Sequence, residues 1–353
     1  MQEVDYIIVG LGLAGIAFCE QLKEANKSFM VYDQGGDGAS RIAAGLYNPV
    51  ILKRYTLPWK AVEQLDLAIP YFKNLEERLK ASFIYKMPVR KVFFSVEDQN
   101  NWFTASDKPE LERFISPVLI PDTNAYIKAP YSYGEVQGTG RIDIKELQRL
   151  YQEYLVTENA FAKAAFDHSE IEIIKNGVLY KDIKAKKIVF AEGYGMKDNP
   201  YFKELPLVGN KGEYLIIKAP ELRLTAAIKT SFFIVPLGND LYKVGATFNW
   251  VDKDTIPSNE AREELVDKLS GLISCDYEII DQEVGMRPTV GDRRALLGVH
   301  PEYSQLVLFN GLGTRGIMMS PMLARYLFDY LENDIALPKE IDIKRFPKKF
   351  KTQ

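Results

Sequence analysis

Three glycines near the N-terminus stand at the spacing that lets a peptide backbone bind a dinucleotide. Gly10, Gly12 and Gly15 follow a strand-like run over residues 4–9 and precede a helical pattern. In such a unit the first glycine permits a tight turn, the second lets the backbone approach a pyrophosphate, and the third lets the helix pack on the strand. The helix N-terminus offers free N–H groups and a positive dipole end to the phosphates.

A carboxylate follows this unit at the distance that a ribose-binding residue needs. A second short strand, over residues 28–32, ends at Asp33, which lies 18 residues after Gly15. A carboxylate near this spacing accepts hydrogen bonds from ribose hydroxyls and repels a 2′-phosphate. The motif does not choose between NAD and FAD, because both cofactors bind to this strand–turn–helix unit.

The composition limits the chemistry that the side chains can perform by themselves. The 353 residues are 46% apolar and 26% charged, which is typical of a globular protein with one large domain or two. Two cysteines and two histidines leave little room for a disulfide framework, a cysteine-based metal site or a His-centred triad. We therefore expect a bound cofactor to supply the chemistry. The net charge of −3 argues against a nucleic-acid partner.

Rossmann-type segments are predicted at both ends of the chain, with β-rich segments between them. Helical periodicity predicts helices over residues 16–25, 59–80, 141–155, 259–272 and 319–331. Strand patterns occur over residues 91–96, 126–128, 187–191, 211–218, 232–235, 242–247 and 306–309. The simplest architecture that explains this order of elements is a ligand-binding domain with a second domain inserted into it.

The start of the chain and its hydropathy predict a cytoplasmic protein without a membrane span. No charged segment followed by an apolar one precedes the first strand, so we expect no signal peptide. No stretch approaches the roughly 18 apolar residues of a spanning helix. The oligomeric state is left open by the sequence.

Further motifs follow the glycine unit in a fixed order. They are Ala39-Ser40 with Ala43-Ala44-Gly45, Phe190-Ala191-Glu192-Gly193, Lys211-Gly212-Glu213, Val235-Pro236 with Val244-Gly245-Ala246-Thr247, Gly285-Met286-Arg287-Pro288 with Asp292-Arg293, and Gly311 to Gly316 with Pro321. Together with the N-terminal unit they resemble the D-amino-acid oxidase superfamily of FAD enzymes over nearly the whole chain. Glu192 departs from that family's pattern, which has a threonine there.

The resemblance implies an α/β fold with an α+β cap. A Rossmann-type FAD-binding domain, similar to that of glutathione reductase, would carry an inserted antiparallel β-sheet substrate domain. The resemblance assigns residues 1–80, 139–208 and 285–353 to the FAD-binding domain, and residues 81–138 and 209–284 to the substrate domain. The FAD is expected to be non-covalent, because neither Cys19 nor Cys275 lies where relatives with a covalent flavin carry their cysteine.

The resemblance also implies which residues hold the cofactor. The glycine loop at residues 311–316 would precede a helix whose N-terminus stabilises negative charge on the pyrimidine edge of the flavin. The expected cofactor-binding residues are Gly10, Gly12, Leu13, Ala14, Gly15, Asp33, Gln34, Ser40, Arg41, Ala44, Gly45, Leu46, Gly193, Arg287, Gly311, Gly313, Thr314, Arg315 and Gly316.

Arg287 is the side chain that the resemblance places on the substrate. In amino-acid oxidases of this family the corresponding arginine forms a two-point ion pair with the substrate carboxylate, a geometry that suits a guanidinium fork. The alternative is a structural arginine paired with Asp292. Phe233 stands where several relatives have a carboxylate-binding tyrosine, which places simple amino acids in doubt as substrates. A hydroxyl could instead come from Tyr47, Tyr133 or Tyr242.

The implied activity is oxidation of a C–N bond in a small amino acid or amine, by hydride transfer to flavin N5 and hydrolysis of the imine. This chemistry needs orientation and a neutral amine more than a strong base, so no catalytic side chain is singled out. One alternative is a tRNA wobble-uridine oxidoreductase, because residues 313–321 also resemble the oxidoreductase domain of a bifunctional tRNA 5-aminomethyl-2-thiouridine enzyme. A non-catalytic FAD-binding protein and an NAD-dependent dehydrogenase are the others.

Overall fold

The computed structural model describes residues 1–36 and 38–350. Its helices are α1 (Leu13–Glu24), α2 (Ala39–Ile42), α3 (Ala61–Leu79), α4 (Val96–Ser106), α5 (Ile144–Thr157), α6 (Asn259–Ser270) and α7 (Gly316–Glu332). Its strands are β1 (Gln2–Val9), β2 (Phe29–Tyr32), β3 (Leu46–Tyr47), β4 (Ile84–Lys86), β5 (Val89–Val92), β6 (Ile115–Ile120), β7 (Tyr133–Val136), β8 (Gly140–Ile142), β9 (Phe161–Ala162), β10 (Ile171–Ile174), β11 (Gly177–Tyr180), β12 (Ile183–Phe190), β13 (Leu207–Lys218), β14 (Ala227–Lys229), β15 (Phe233–Gly238), β16 (Leu241–Gly245), β17 (Glu278–Val290), β18 (Leu296–Val299) and β19 (Leu306–Asn310). None of the described helices is long and apolar enough to cross a membrane.

The first large sheet aligns the ends of five parallel strands, β1, β2, β9, β12 and β19. Its order is β10-β11-β12-β1-β2-β9, and β19 joins β12 and pairs with β18. Val9 at the end of β1 lies opposite Tyr32 on β2 and Phe190 on β12, and β12 runs parallel to β19. The loops after these strands therefore meet at one edge of the sheet, which is where open α/β sheets bind their ligands.

Both faces of this sheet are covered, as its almost continuously apolar strands require. Helices α1 and α7 pack on one face, where Phe18 and Leu323 are buried against Ile8. On the other face Ile7 packs with Phe202 in a separate buried cluster. The sequence prediction of a Rossmann-type unit at both ends of the chain is confirmed.

The second large sheet runs β17-β13-β16-β15-β14-β5-β7-β6 and is antiparallel except where β14 pairs with β5. On one face α6 buries Leu265 and Leu269 against Ile234 and Val244. The opposite face is called the inner face here, because its residues border the cavity described below. A small third sheet, β3-β8-β4, lies beside these two. The predicted fold class is confirmed.

Several predicted elements differ from those observed. The strand expected over residues 91–96 is wrong in its second half, because the side chain of Ser95 caps helix α4 by accepting a hydrogen bond from Asp98 N. Residues 126–128 form no named strand; Ile127 makes only an isolated bridge with Ile273. The 13-residue strand β17 was missed as an element, although its Arg287 motif was recognised.

The predicted domain boundaries fall inside two paired strands. β13 passes through positions 208 and 209, and β17 passes through positions 284 and 285, and the two strands pair with each other with one register shift between Ile216 and Ile217. At one end of this pair Leu207 and Val290 pack in the buried cluster on one face of the first sheet, while β17 and β13 form the edge of the second sheet. The division of the chain into two domains at these positions stays a prediction.

Candidate functional site

One cavity borders both large sheets. It has a volume of about 1480 Å³ and is lined by the loops after β1, β2 and β12 and by the inner face of the second sheet. Sites for one small molecule typically measure about 300–1,000 Å³. The cavity is therefore large enough for a dinucleotide together with a second, smaller ligand.

The structure brings almost all of the predicted binding residues to this cavity. Those that line it are Gly10, Gly12, Leu13, Ala14, Asp33, Gln34, Ser40, Arg41, Ala44, Gly45, Leu46, Tyr47, Gly193, Phe233, Arg287, Gly313, Thr314, Arg315 and Gly316. Gly15 and Gly311 do not line it. A Cβ at Gly15 would lie 2.0 Å from the carbonyl oxygen of Gly10, so Gly15 allows α1 to pack closely on the end of β1.

Asp33 is held in place by backbone donors at the end of β2. Its Oδ2 accepts a hydrogen bond of 2.6 Å from Leu11 N, and its Oδ1 accepts one of 2.7 Å from Gly35 N. Each carboxylate oxygen keeps a second lone pair for another donor. The position therefore suits a carboxylate that binds ribose hydroxyls next to the glycine turn.

The helix starts and the glycines around the cavity fit the phosphates and ring system of a dinucleotide. Helices α1 and α7 both begin without a side-chain cap, at Gly12 and Arg315, so their first N–H groups are free for a ligand. A Cβ on Gly12 would approach only Ser40 Oγ, at 3.6 Å, and one on Gly193 or Gly313 would meet none of the described atoms within 4 Å. Bare backbone therefore borders open space at the places where FAD is expected.

Glu192, the residue that departs from the family pattern, is fixed by two partners. Its Oε1 lies 2.7 Å from His168 Nε2, and its Oε2 accepts a hydrogen bond of 2.8 Å from Asn199 Nδ2. Both Glu192 and His168 line the cavity. Both oxygens of the carboxylate thus have partners within the fold, and the cavity is present although a glutamate replaces the family's threonine.

Arg287 is buried on β17 with one end of its guanidinium fixed. Nη1 donates to Asn210 Oδ1 at 2.5 Å and to the carbonyl oxygen of Thr247 at 3.2 Å. The ring of Phe248 covers the group, with its centroid 4.6 Å from Cζ. Within the described chain, Nη2 and Nε make no hydrogen bond. The guanidinium therefore has donors left for a ligand in the cavity.

The alternative pairing of this arginine with Asp292 is wrong. Asp292 Oδ2 accepts a hydrogen bond of 3.1 Å from Arg345 Nε, at the C-terminal end of the described chain.

The Lys-Gly-Glu motif makes room for Arg287 and anchors the loop that covers it. A Cβ on Gly212 would lie 2.0 Å from Arg287 Nη2, so only glycine lets the guanidinium lie across β13. Lys211 Nζ donates to Asp254 Oδ1 at 2.8 Å and to the carbonyl oxygen of Ile256 at 2.7 Å. The loop that carries Phe248 is therefore tied to the strand beneath the arginine.

Two other predicted substrate residues also reach the cavity. Phe233 on β15 and Tyr47 on β3 both line it, and burial raises the pKa of Tyr47, so its hydroxyl stays neutral. Tyr133 and Tyr242 do not line it. The Tyr133 hydroxyl donates to Asp122 Oδ1 at 2.9 Å, and the Tyr242 hydroxyl accepts from Leu224 N at 3.3 Å.

Two lysines on the inner face, Lys243 buried and Lys229 half-buried, were missed by the sequence analysis. Lys243 forms an ion pair with Glu283, which also accepts from Lys145 Nζ at 2.5 Å. Burial lowers the pKa of Lys243 in spite of this pair. Lys229 lies at the end of β14, and burial, helped by Lys268 and Lys91, lowers its pKa to about 8. The sequence signal that could have identified them is a lysine at an inward-facing position of a short strand, where apolar residues are expected.

A dinucleotide unit that opens into a cavity beneath a second sheet is the arrangement of a cofactor-dependent oxidoreductase. The family model described as DAO, FAD dependent oxidoreductase, matches residues 5–330, and the chain belongs to this family. Its cofactor is therefore FAD, which the residues described above fit.

Known proteins of this family are similar over the whole chain. Glycine oxidase of Bacillus subtilis (strain 168) is 23% identical over 366 residues, covering 93% of this chain and 93% of that protein. The solved structure of glycine oxidase from Geobacillus kaustophilus superimposes with a TM-score of 0.78 at 20% identity, covering 98% of both chains. A tRNA 5-methylaminomethyl-2-thiouridine biosynthesis bifunctional protein of Idiomarina loihiensis is 21% identical over 94% of this chain and 56% of its own length.

Proposed function

We propose that this protein oxidises the C–N bond of a small amino acid or amine, with Arg287 binding the carboxylate of the substrate. The observation that carries the proposal is the state of Arg287 in the cavity wall. Its Nη1 is fixed by Asn210 and Thr247, while its remaining donors have no acceptor among the described residues. The similarity to glycine oxidase supports an α-amino carboxylate as the substrate.

The residues around Arg287 determine how a substrate would be held. Asn210 fixes the plane of the guanidinium, and Phe248 covers it, which limits the access of water to the ion pair. A fixed fork orients a carboxylate through two hydrogen bonds, which a lysine cannot do. When bound, FAD supplies the hydride acceptor, so the chain has to provide orientation and a site for the neutral amine.

The FAD is proposed to bind non-covalently to the predicted cofactor residues that line the cavity. Asp33 would bind the ribose, Gly12 and the start of α1 the pyrophosphate, and Gly313 with the start of α7 the pyrimidine edge of the flavin. Cys19 is buried in the core under α1, and Cys275 is buried beside α6 on the other face of the second sheet. These two positions support a cofactor without a cysteine link.

Anaerobic titration of the FAD-loaded protein tests the proposed function. Glycine, N-methylglycine and other small α-amino acids should bleach the flavin absorbance if the substrate is an amino acid. Methylamine, which lacks only the carboxylate of glycine, should bleach it at least ten-fold less efficiently, because Arg287 then has nothing to bind. A flavin that no amine or amino acid reduces would contradict the proposal.

A second candidate function is oxidation of an amine on a tRNA wobble uridine. The similarity to the Idiomarina loihiensis protein over 94% of this chain favours it, although this chain spans 56% of that protein's length. The same anaerobic experiment separates the two candidates. Bleaching by modified tRNA, with none by free amino acids, would replace the first candidate by the second.

A further inference from the structure

We propose that the substrate carries a second anionic group and that Lys229 binds it, at the side of the cavity opposite to Arg287. This inference rests on the proposed function, which makes Arg287 the site of the first carboxylate. The ligand chemistry is thus an amine or amino acid with acidic groups at both ends.

The first observation is the lack of any acceptor for Lys229. Among the cavity-lining cations of the described chain, Arg41, Lys145, Lys243 and Arg287 have hydrogen-bond partners. Lys53, Arg315 and Lys229 have none. Lys53 is exposed to water, and Arg315 stands at the start of α7 in the predicted cofactor site.

Lys229 differs from Lys53 because it is half-buried, and from Arg315 because it lies on the inner face of the second sheet and not at the start of α7. Its contact with the described chain is the ring of Phe233, whose centroid lies 4.5 Å from Nζ. An aromatic face replaces only part of the hydration that a buried ammonium group loses. A cation that has no hydrogen-bond acceptor in the wall of a cavity is typical of a residue that binds an anionic ligand.

The second observation is the electrostatic surroundings. Lys91, which lies directly opposite Lys229 on β5, adds positive charge and donates its own hydrogen bond to the Tyr55 hydroxyl. The carboxylate in the same row of the sheet, Glu283, is already bound by Lys243 and Lys145. Asp98 acts on Lys91, and Glu264 pairs with Lys268, the other cation beside Lys229. Among the described residues, Lys229 is therefore the lysine of this group that has no carboxylate partner.

The third observation is the position of Lys229 relative to Arg287. Strand pairing places Glu283, Tyr214, Gly245, Phe233 and Lys229 side by side in one row across β17, β13, β16, β15 and β14. Lys229 is therefore four strands from Glu283, roughly 19 Å, and Arg287 lies four residues along β17 from Glu283, roughly 13 Å. The two Cα atoms are thus roughly 23 Å apart, and side chains of roughly 6 Å each can reduce the gap between the charged groups to roughly 11 Å. Both long side chains stand on the same face, so an extended ligand with two charged ends would fit between them.

Binding of simple acids to the FAD-loaded protein tests this inference without requiring turnover. Glutarate and pentanoate have the same number of carbons and differ by one carboxylate, and their dissociation constants can be measured from the perturbation of the flavin spectrum. Glutarate should bind at least ten-fold more tightly than pentanoate to the unaltered protein. Malonate, which is too short to reach both cations, should show a smaller preference over propionate.

The variant Lys229→Met should abolish the preference for glutarate and leave pentanoate binding unchanged, whereas Lys229→Arg should retain a preference. Lys53→Met is the matched control, since it removes an exposed lysine from the same cavity and should preserve the ten-fold ratio. 4-Phosphonobutyrate tells whether the second group is phosphate-like or a carboxylate; tighter binding than pentanoate supports the inference in either case.

Equal binding of glutarate and pentanoate, or a preference that survives in Lys229→Met, would overturn the inference. Flavin content and the visible spectrum show whether each variant is folded, and Lys229→Gln, which also removes the charge, serves if the methionine variant is not. Failure of the proposed function has a different signature, since it would leave the flavin unreduced by every amine while the acid-binding ratios keep their values.

Discussion

Arg287 illustrates how a residue acquires a role from contacts far away in the chain. Asn210 and Thr247 come from β13 and the loop after β16, and they hold one nitrogen of the guanidinium. Gly212 supplies the space in which the group lies. The side chain is therefore positioned before any ligand arrives, which reduces the entropy lost on binding.

Replacing this arginine by lysine should weaken carboxylate binding while keeping the charge. We expect Arg287→Lys to raise the dissociation constant of pentanoate at least ten-fold, which corresponds to about 1.4 kcal/mol or more, because an ammonium cannot form the two-point contact. Flavin perturbation titrations measure this constant. Arg345→Lys, at the arginine that pairs with Asp292 instead, should leave it unchanged; equal losses in the two variants would remove Arg287 from the substrate site.

Lys229 should destabilise the folded protein without ligand in a pH-dependent manner. Its pKa of about 8 lies below the ordinary lysine value of 10.5, so between these pH values the unfolded state binds more protons and stability rises with pH. Below pH 8 the folded protein bears the full free-energy cost of keeping Lys229 charged. Lys229→Met should therefore increase the free energy of unfolding at pH 7 by up to about 3 kcal/mol.

Urea unfolding of the FAD-free protein at pH 7 and pH 9.5 measures this effect. The gain from Lys229→Met should be smaller at pH 9.5, where the unaltered folded protein has already lost most of this charge. Lys53→Met should change stability by no more than about 0.5 kcal/mol at either pH, because that lysine is exposed. A lower free energy of unfolding in Lys229→Met at pH 7 would show that the ammonium group of Lys229 does not destabilise the folded protein.

At the level of elements, the proposed cofactor site is made by strand ends and helix starts. The parallel register of β1, β2 and β12 brings Gly10, Asp33 and Glu192 to one edge of the sheet. At Gly10, with φ +100°, a Cβ would lie 2.6 Å from the carbonyl oxygen of Ala191, so this turn requires glycine. The helix starts at Gly12 and Arg315 then present their free N–H groups to the same cavity.

A single methyl group at Gly12 should separate cofactor binding from folding. The Cβ of Gly12→Ala would meet only Ser40 Oγ, at 3.6 Å, so the FAD-free fold should keep its stability within about 0.5 kcal/mol. The methyl group would occupy space that the pyrophosphate needs, and FAD affinity should fall at least ten-fold. FAD titration and urea unfolding check both parts, with Gly291→Ala, a glycine outside the cavity, as the control. Unchanged FAD affinity would contradict this placement.

At the level of the whole molecule, the cavity is bordered by both sheets, and the ends of β13 and β17 at Leu207 and Val290 pack against the first sheet. A cofactor that contacts the edge of the first sheet and the start of α7 adds links between parts of the chain that are far apart in sequence. Binding of this kind stabilises the folded state, because the unfolded chain has no such site.

Removal of FAD should therefore lower the stability of the entire protein. At a free FAD concentration 100 times its dissociation constant, the free energy of unfolding should rise by about 2.7 kcal/mol relative to the FAD-free protein. Thermal unfolding with and without FAD measures the difference. FMN, which lacks the adenylate half expected at Asp33, should stabilise less at the same concentration; equal stabilisation would indicate that the adenylate half is not bound.

The cofactor unit could be predicted because its determinants are local. Glycine spacing, the preceding apolar run and the acid at the end of the next strand lie within 33 residues, and backbone geometry fixes their meaning. Helix α4 was missed because its N-cap, Ser95, follows a strand with no glycine or proline between them. Strand β17 was missed because its half facing the cavity mixes glycine, proline and charged residues, which hides the alternation of a strand.

The sequence by itself determined the family motifs, the α/β class and the residues of the glycine turn, since these depend on neighbours in the chain. Only the tertiary structure decided that Arg287 is held by Asn210 while Asp292 pairs with Arg345. It also decided that Lys229 faces the same cavity without an acceptor among residues 1–36 and 38–350. These facts depend on the register of strands that are distant in sequence, and the free energy of a charged group depends on what surrounds it there.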